Sequence, residues 1–271
     1  MTTLAQLDTI GPLPFPSLAT DRGQDWIHRV CDNRFILART ADGGTAEWDL
    51  AADGHLLAVG SPGSGKSTLV TTLAYQAAAN HDLIDMIVNS PHAELPQSVT
   101  DIGIRYTGRE DLRAVVTDCL AVVRRRLREQ NTTDPRRRLV LVIEADPEIS
   151  HMKGASRMVE DLREILRTGA AVGVHVAVTA LQANSVCLDA TTREMLTARL
   201  LLRPDTDTDY NARILFGTVE LPHRAPGTGL GRGWFTASGA IADVQVPFID
   251  RAAEVSLRHH LATTKQGEQL T

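Results

Sequence analysis

Apolar residues along this chain fall into two alternating rhythms. Short continuous runs read as strands buried on both faces: LLAV at 56–59, IDMIV at 84–88, LVLVI at 139–143, VHVAVTAL at 174–181 and RLLLR at 199–203. Between them stand segments with helical spacing. Residues 67–80 follow a Gly-rich loop and predict a helix. Residues 109–130 place Leu112, Val115, Val116, Cys119, Leu120, Val123 and Leu127 on one stripe, and 155–168 do the same with Met158, Val159, Leu162, Ile165 and Leu166. Gly169 is placed as the C′ residue that closes the latter helix. Earlier, FILART and TAEWDL flank the breaker Ala-Asp-Gly-Gly, which predicts a small N-terminal β lead-in. Strands alternating with helices predict the α/β class, a mostly parallel sheet with helices on both faces.

Outside this pattern, residues 1–24 are expected to be irregular, since Pro12, Pro14 and Pro16 break any helix. Residues 25–250 are read as one domain, and 251–271 as a C-terminal helix with a loose polar tail after Lys265. Composition narrows the function classes. The chain has 271 residues with 43% hydrophobic and 23% charged, which excludes dominant disorder. Cys31, Cys119 and Cys187 are odd in number and far apart, which excludes a disulfide scaffold and zinc spacing. No apolar run reaches the ~18 residues of a spanning helix, and the N-terminus lacks a basic start. A cytoplasmic protein without direct membrane insertion is expected. The net charge of −5 means that any nucleic-acid contact must be local.

The strongest motif is Gly60-Ser61-Pro62-Gly63-Ser64-Gly65-Lys66-Ser67-Thr68, which matches GxxxxGK[ST] between a strand and a helix. The glycines let backbone N–H groups turn inward around phosphate oxygens, and the helix N-terminus adds positive partial charge. Lys66 is assigned to the β/γ-phosphates of ATP, and the Ser67 hydroxyl to Mg²⁺. Thr68 lies in the first turn as a second hydroxyl.

A P-loop ATPase also needs an acid at the end of a nearby buried strand. The strand 139–143 ends in Ile-Glu144-Ala-Asp146, with Glu148 beyond it and no consecutive Asp-Glu pair. Two registers are open. Glu144 takes the metal position with Asp146 or Glu148 as base, or Glu144 is the catalytic carboxylate and the metal-side Asp is missing. Strand alternation puts 144 and 146 on the same side.

From these residues onward the chain resembles the motor domain of FtsK/SpoIIIE-type ATPases. Val88-Asn-Ser-Pro-His-Ala-Glu94-Leu95 resembles that family's turn after its second strand, and Val122-Val-Arg-Arg-Arg-Leu-Arg128 its Arg-rich helix. Gly173-Val-His-Val-Ala-Val-Thr179-Ala-Leu-Gln182 is similar to its Gly-Ile-His strand leading to Ala-Thr-Gln, with one extra residue. Ala198–Arg203, the Gly-rich stretch from Gly227 to Phe235, and Trp48-Asp49-Leu50 extend the series over residues 35–249. The resemblance implies a RecA-like P-loop NTPase that assembles as a homo-oligomer, a hexameric ring. ATP then lies between subunits and double-stranded DNA passes through the centre. It implies that Gln182 senses the γ-phosphate and that an arginine acts in trans, with Arg167, Arg199, Arg203 and Arg213 as candidates. It also suggests the compact motors of actinobacterial phages and mobile elements. Related secretion-system ATPases move protein instead, and the altered acidic motif motivates a third reading, an ATP-binding assembly module with weak hydrolysis.

Other motifs carry less. Gly229-Leu-Gly231-Arg-Gly233 lacks dinucleotide spacing and is expected to form a hairpin. Asp205, Asp207 and Asp209 lack the Gly and Glu of a calcium loop, and Asp209 is placed as a helix cap. Arg124–Arg128 and Arg136–Arg138 could touch DNA phosphates, but such runs more often form a solvated helix face or a subunit interface. His175, inside an apolar strand, is expected to be a core histidine.

Overall fold

The structure, a computed structural model, describes residues 13–90, 104–108, 111–129, 137–145, 155–184, 188–202, 208–221, 230–237 and 239–268. The strands are β1 (Arg34–Thr40), β2 (Thr45–Asp49), β3 (Leu56–Gly60), β4 (Ile84–Asn89), β5 (Arg105–Thr107), β6 (Arg138–Ala145), β7 (Val174–Ala180), β8 (Ala198–Leu202), β9 (Arg232–Thr236) and β10 (Ala242–Gln245). The helices are α1 (Asp21–His28), α2 (Lys66–Ala79), α3 (Leu112–Arg128), α4 (Ala155–Thr168), α5 (Ala190–Glu194), α6 (Thr208–Phe216) and α7 (Arg251–Glu268).

All the strands join one sheet in the order β2-β1-β10-β9-β8-β3-β7-β6-β4-β5. From β8 to β5 every neighbouring pair is parallel, and from β8 to β2 every pair is antiparallel. The mixed α/β class and the mostly parallel core thus match the expectation. The lead-in is not a separate piece. β1 and β2 continue the sheet because β10 pairs with both β1 and β9.

Period-two alternation splits the parallel strands between two cores. Leu56, Ala58, Val140, Val142, Leu200 and Leu202 face one side, with α1, α2 and α7. Leu57, Val59, Leu141, Ile143, Val176 and Val178 face the other, with α3, α4 and α6. α2 is buried almost all round because α7 covers its outer side, and the Tyr75 hydroxyl donates to Ala253 O at 2.9 Å.

Gln76 solves a local problem at the sheet edge. β10 pairs with β1 only at Arg39 and Thr40. Beyond that point the Gln76 amide accepts from Ile36 N and donates to Ile36 O, both at 2.9 Å. A buried backbone pair that the ladder does not reach is satisfied by a side chain.

Three details differ from the sequence reading. α1 begins at Asp21, inside the segment expected to be irregular, and Thr20 caps it by accepting from Gly23 N. The stretch before it still packs: Phe15 is buried against Trp26, with ring centroids 5.2 Å apart. α7 runs to Glu268, past the expected start of a loose tail. Gly169 keeps a right-handed φ of −65°, and Gly173 takes the left-handed turn at φ 70°. Gly169 is needed for clearance instead, since a Cβ there would lie 2.5 Å from Ile165 O and 2.7 Å from Val174 O.

Candidate nucleotide site

The Gly60–Thr68 motif leaves β3 at its C-terminal end and opens α2. Gly63 and Gly65 have φ of 72° and 110°, a region that side chains disfavour. Gly60 is excluded from substitution by space: a Cβ would meet Ser64 Oγ at 2.5 Å and Leu202 O at 2.8 Å. The Ser64 hydroxyl is buried without a hydrogen-bond partner among the described residues. A phosphate cradle supplies such partners, so the loop fits the nucleotide that its motif implies.

Lys66 sits inside the turn, and its ammonium donates to Gly60 O at 2.6 Å and Ser61 O at 3.0 Å. Burial pushes it below the usual lysine range, and the Glu144 carboxylate pulls it back up. Glu144 stands near the end of β6. Its Oε1 accepts from Ser67 Oγ at 3.4 Å, and its Oε2 accepts from Ser90 Oγ. The structure therefore brings Lys66, Ser67 and Glu144 together across residues far apart in sequence. A hydroxyl and a carboxylate oxygen facing each other beside a phosphate loop are the hard oxygen donors that Mg²⁺ takes.

Gln182 lies two residues past β7, whose Thr179 and Ala180 pair with Glu144 and Ala145 of β6. It is exposed, and Asn184 Nδ2 donates to its Oε1 at 2.6 Å. Asp146, Glu148 and Arg203 lie outside the described residues. Arg199 is held within the chain, its guanidinium donating to Leu215 O at 2.6 Å and Leu196 O at 3.2 Å. Arg167 and Arg213 are both exposed; Arg167 lies near the end of α4 and donates to Arg163 O at 3.3 Å, and Arg213 lies on α6. Asp209 falls in the first turn of α6 rather than at its cap.

The arginine run is largely committed within the fold. Arg124 pairs with Glu164 at 2.6 Å, Arg126 holds the carbonyls of Val172 and Gly173 at 3.0 Å, and Arg137 pairs with Asp85 at 2.6 Å. Arg138 opens β6, so these contacts lie at the strand edge opposite the phosphate loop. His175 is a core residue as expected, with Nδ1 2.9 Å from Gly54 O, although its Nε2 has no partner among the described residues.

Two residues of segments already singled out in the sequence take supporting contacts that the sequence does not reveal. Ser90 follows β4 directly and holds Glu144; its turn stands out in the sequence, but nothing local shows which residue its hydroxyl meets. Gly231 braces the phosphate loop from a distant segment. Its N–H donates to Ser64 O at 2.9 Å, and it accepts from Val246 N at 2.8 Å. A Cβ on Gly65 would lie 2.9 Å from Gly231 Cα. With φ at 79° and Val246 O 2.9 Å from where its own Cβ would lie, Gly231→Ala is strained by about 1–3 kcal/mol. Thermal unfolding should show that loss. Nucleotide titration should show weakened binding under conditions where the variant stays folded; unchanged affinity there would refute the brace.

No family model matches the chain, and no curated protein matches it. Solved structures do. The conjugation coupling protein TcpA of pCW3, determined with ATPγS, aligns with TM-score 0.73 at 15% identity over 95% of this chain and 75% of its own. The cytoplasmic domain of the type VII secretion ATPase EccC of Thermomonospora curvata aligns with TM-score 0.67 at 20% identity. That match covers 96% of this chain, which spans 33% of the EccC chain. B204, the DNA-packaging ATPase of Sulfolobus Turreted Icosahedral Virus, aligns with TM-score 0.51 at 13% identity over 73% of this chain and 99% of its own. Identities this low establish the architecture: the chain has a RecA-like P-loop ATPase fold.

Proposed function

We propose that this chain is a Mg²⁺-dependent ATPase motor that moves double-stranded DNA, working as a homo-oligomeric, hexameric ring. The observation that carries the ATPase reading is the meeting of Lys66, Ser67 and Glu144 at the ends of β3 and β6. The backbone N–H groups of the loop and Lys66 hold the β/γ-phosphates. Ser67 and Glu144 hold Mg²⁺, which when bound neutralises charge developing on the transferred phosphoryl group. Gln182 orients the attacking water, and Asp146 is the candidate to take its proton. ATP lies between subunits, where an arginine from the neighbour completes the site; of the candidates, Arg167 and Arg213 are exposed. DNA as cargo draws on the likeness to TcpA, a conjugation coupling protein, and to the DNA-packaging B204.

A second reading, protein cargo, draws on the likeness to the secretion ATPase EccC. Steady-state ATP hydrolysis with and without linear double-stranded DNA separates them, with Lys66→Ala as the blank. Stimulation of several-fold that fades with rising salt supports DNA, because phosphate contacts release counterions. Turnover indifferent to DNA favours protein cargo. ATP binding without turnover refutes the motor and leaves an assembly module.

A further inference from the structure

The Glu144 carboxylate is held from both sides. Oε1 faces the Ser67 hydroxyl at 3.4 Å, and Oε2 accepts from Ser90. Ser90 is in turn fixed by β5, which forms the edge of the sheet among the described residues. The Tyr106 hydroxyl donates to Ser90 O at 2.7 Å. Beside it Asn89 Nδ2 donates to Thr107 Oγ1 at 3.0 Å, which ties the end of β4 to β5. Tyr106 is nonetheless 40% exposed, so one end of this chain of contacts is at the surface.

A glutamate side chain has three rotatable bonds, and its terminal torsion is broad. A hydrogen bond to one oxygen selects the orientation of the other. With Oε2 on Ser90, Oε1 is the oxygen presented to the phosphate loop. Hydrogen bonds to ionised acceptors are the strong ones, so this selection is effective.

We propose that Ser90 and Tyr106 are a positioning pair that aims the Glu144 carboxylate at the P-loop hydroxyl and sets how strongly Mg²⁺ couples to nucleotide binding. The proposal rests on the reading of Lys66, Ser67 and Glu144 as a nucleotide site. It also makes the exposed edge at Tyr106 a place where contact with a neighbour reaches the metal position through two hydrogen bonds.

The test titrates a fluorescent ATP analogue against the full chain in EDTA and in Mg²⁺, for the wild type, Ser90→Ala, Ser90→Thr and Tyr106→Phe. Wild-type affinity should rise with Mg²⁺. Ser90→Ala should lose about tenfold of that gain, the scale of a lost partner behind a metal ligand. Its affinity in EDTA should be unchanged. Ser90→Thr, which keeps the hydroxyl, should restore the gain. Tyr106→Phe should lose about threefold, the scale of one hydrogen bond. A wild-type Mg²⁺ gain in Ser90→Ala, or equal losses in EDTA and Mg²⁺, overturns the pair while leaving the nucleotide site standing. A wild type that binds no nucleotide overturns the site and the pair together. Should Ser90→Ala not fold, an unchanged gain in Tyr106→Phe overturns the proposal.

Discussion

Lys66→Ala should lower ATP turnover by at least about a hundredfold, the scale of removing one preorganised donor from a developing negative charge. The ammonium is partly buried inside the Gly60–Ser67 turn, where it donates to two loop carbonyls at 2.6 and 3.0 Å. Burial already costs it charge stability, so the fold sustains this cation against its own desolvation. Lys66→Arg should not rescue, since the planar guanidinium does not fit a turn built around a compact ammonium. The check is kcat/KM for ATP alongside thermal unfolding. A folded Lys66→Ala that turns over ATP like the wild type would refute the nucleotide site.

Acid should destabilise the fold well before carboxylates titrate. His55 and His175 are buried, and burial lowers each from 6.5 to about 4. The neutral ring of His55 is built into the backbone: Nδ1 accepts from Val176 N, and Nε2 donates to Leu166 O, each at 3.0 Å. His175 lies beside it, with ring centroids 6.2 Å apart, and after burial the nearby His55, Arg138 and Arg126 add to the lowering of its pKa. The folded values lie below the unfolded ones. Between pH 6.5 and 4 the unfolded chain therefore binds protons that the folded chain refuses. Their contribution is whole above pH 6.5 and is lost as pH falls through that window. Each shift of about 2.5 pH units is worth about 3 kcal/mol at about 1.4 kcal/mol per unit. Thermal unfolding from pH 7 to 4.5 should show a steep fall in Tm. Ring-proton NMR should show two of the nine histidines failing to titrate above pH 5. Ordinary titration of both near pH 6.5 would refute this account.

The phosphate loop was legible because its chemistry is local. Gly60 to Ser67 must turn, present N–H groups and start a helix within eight residues, and only a narrow set of residue types allows that. The strands β3, β6 and β7 were legible for a related reason. A strand buried on both faces is apolar at every position, as 56–59 and 139–143 are. Glu144 could be named as the acid because it ends such a run.

Contacts between segments far apart in sequence were not legible. Ser90 meets Glu144 because β4 and β6 pair in a parallel register that sets Asn89 opposite Ile143. Gly231 meets Ser64 because the β9–β10 hairpin follows β8 beside the phosphate loop. Arg199, a candidate for acting in trans, is instead committed to carbonyls at 196 and 215, which only the packing of α6 on β8 reveals.

By itself the sequence determined the class of fold, and it named the Gly60–Thr68 turn and Glu144 at the strand end as the candidate site. Each is written in neighbouring residues whose spacing the backbone geometry demands. Tertiary structure alone decided that the lead-in strands join the same sheet, which has ten strands among the described residues, that Glu144 faces Ser67, and that Ser90 and Gly231 contact the candidate site. Those facts depend on strand order and register, which are set by which apolar faces bury one another across the whole chain.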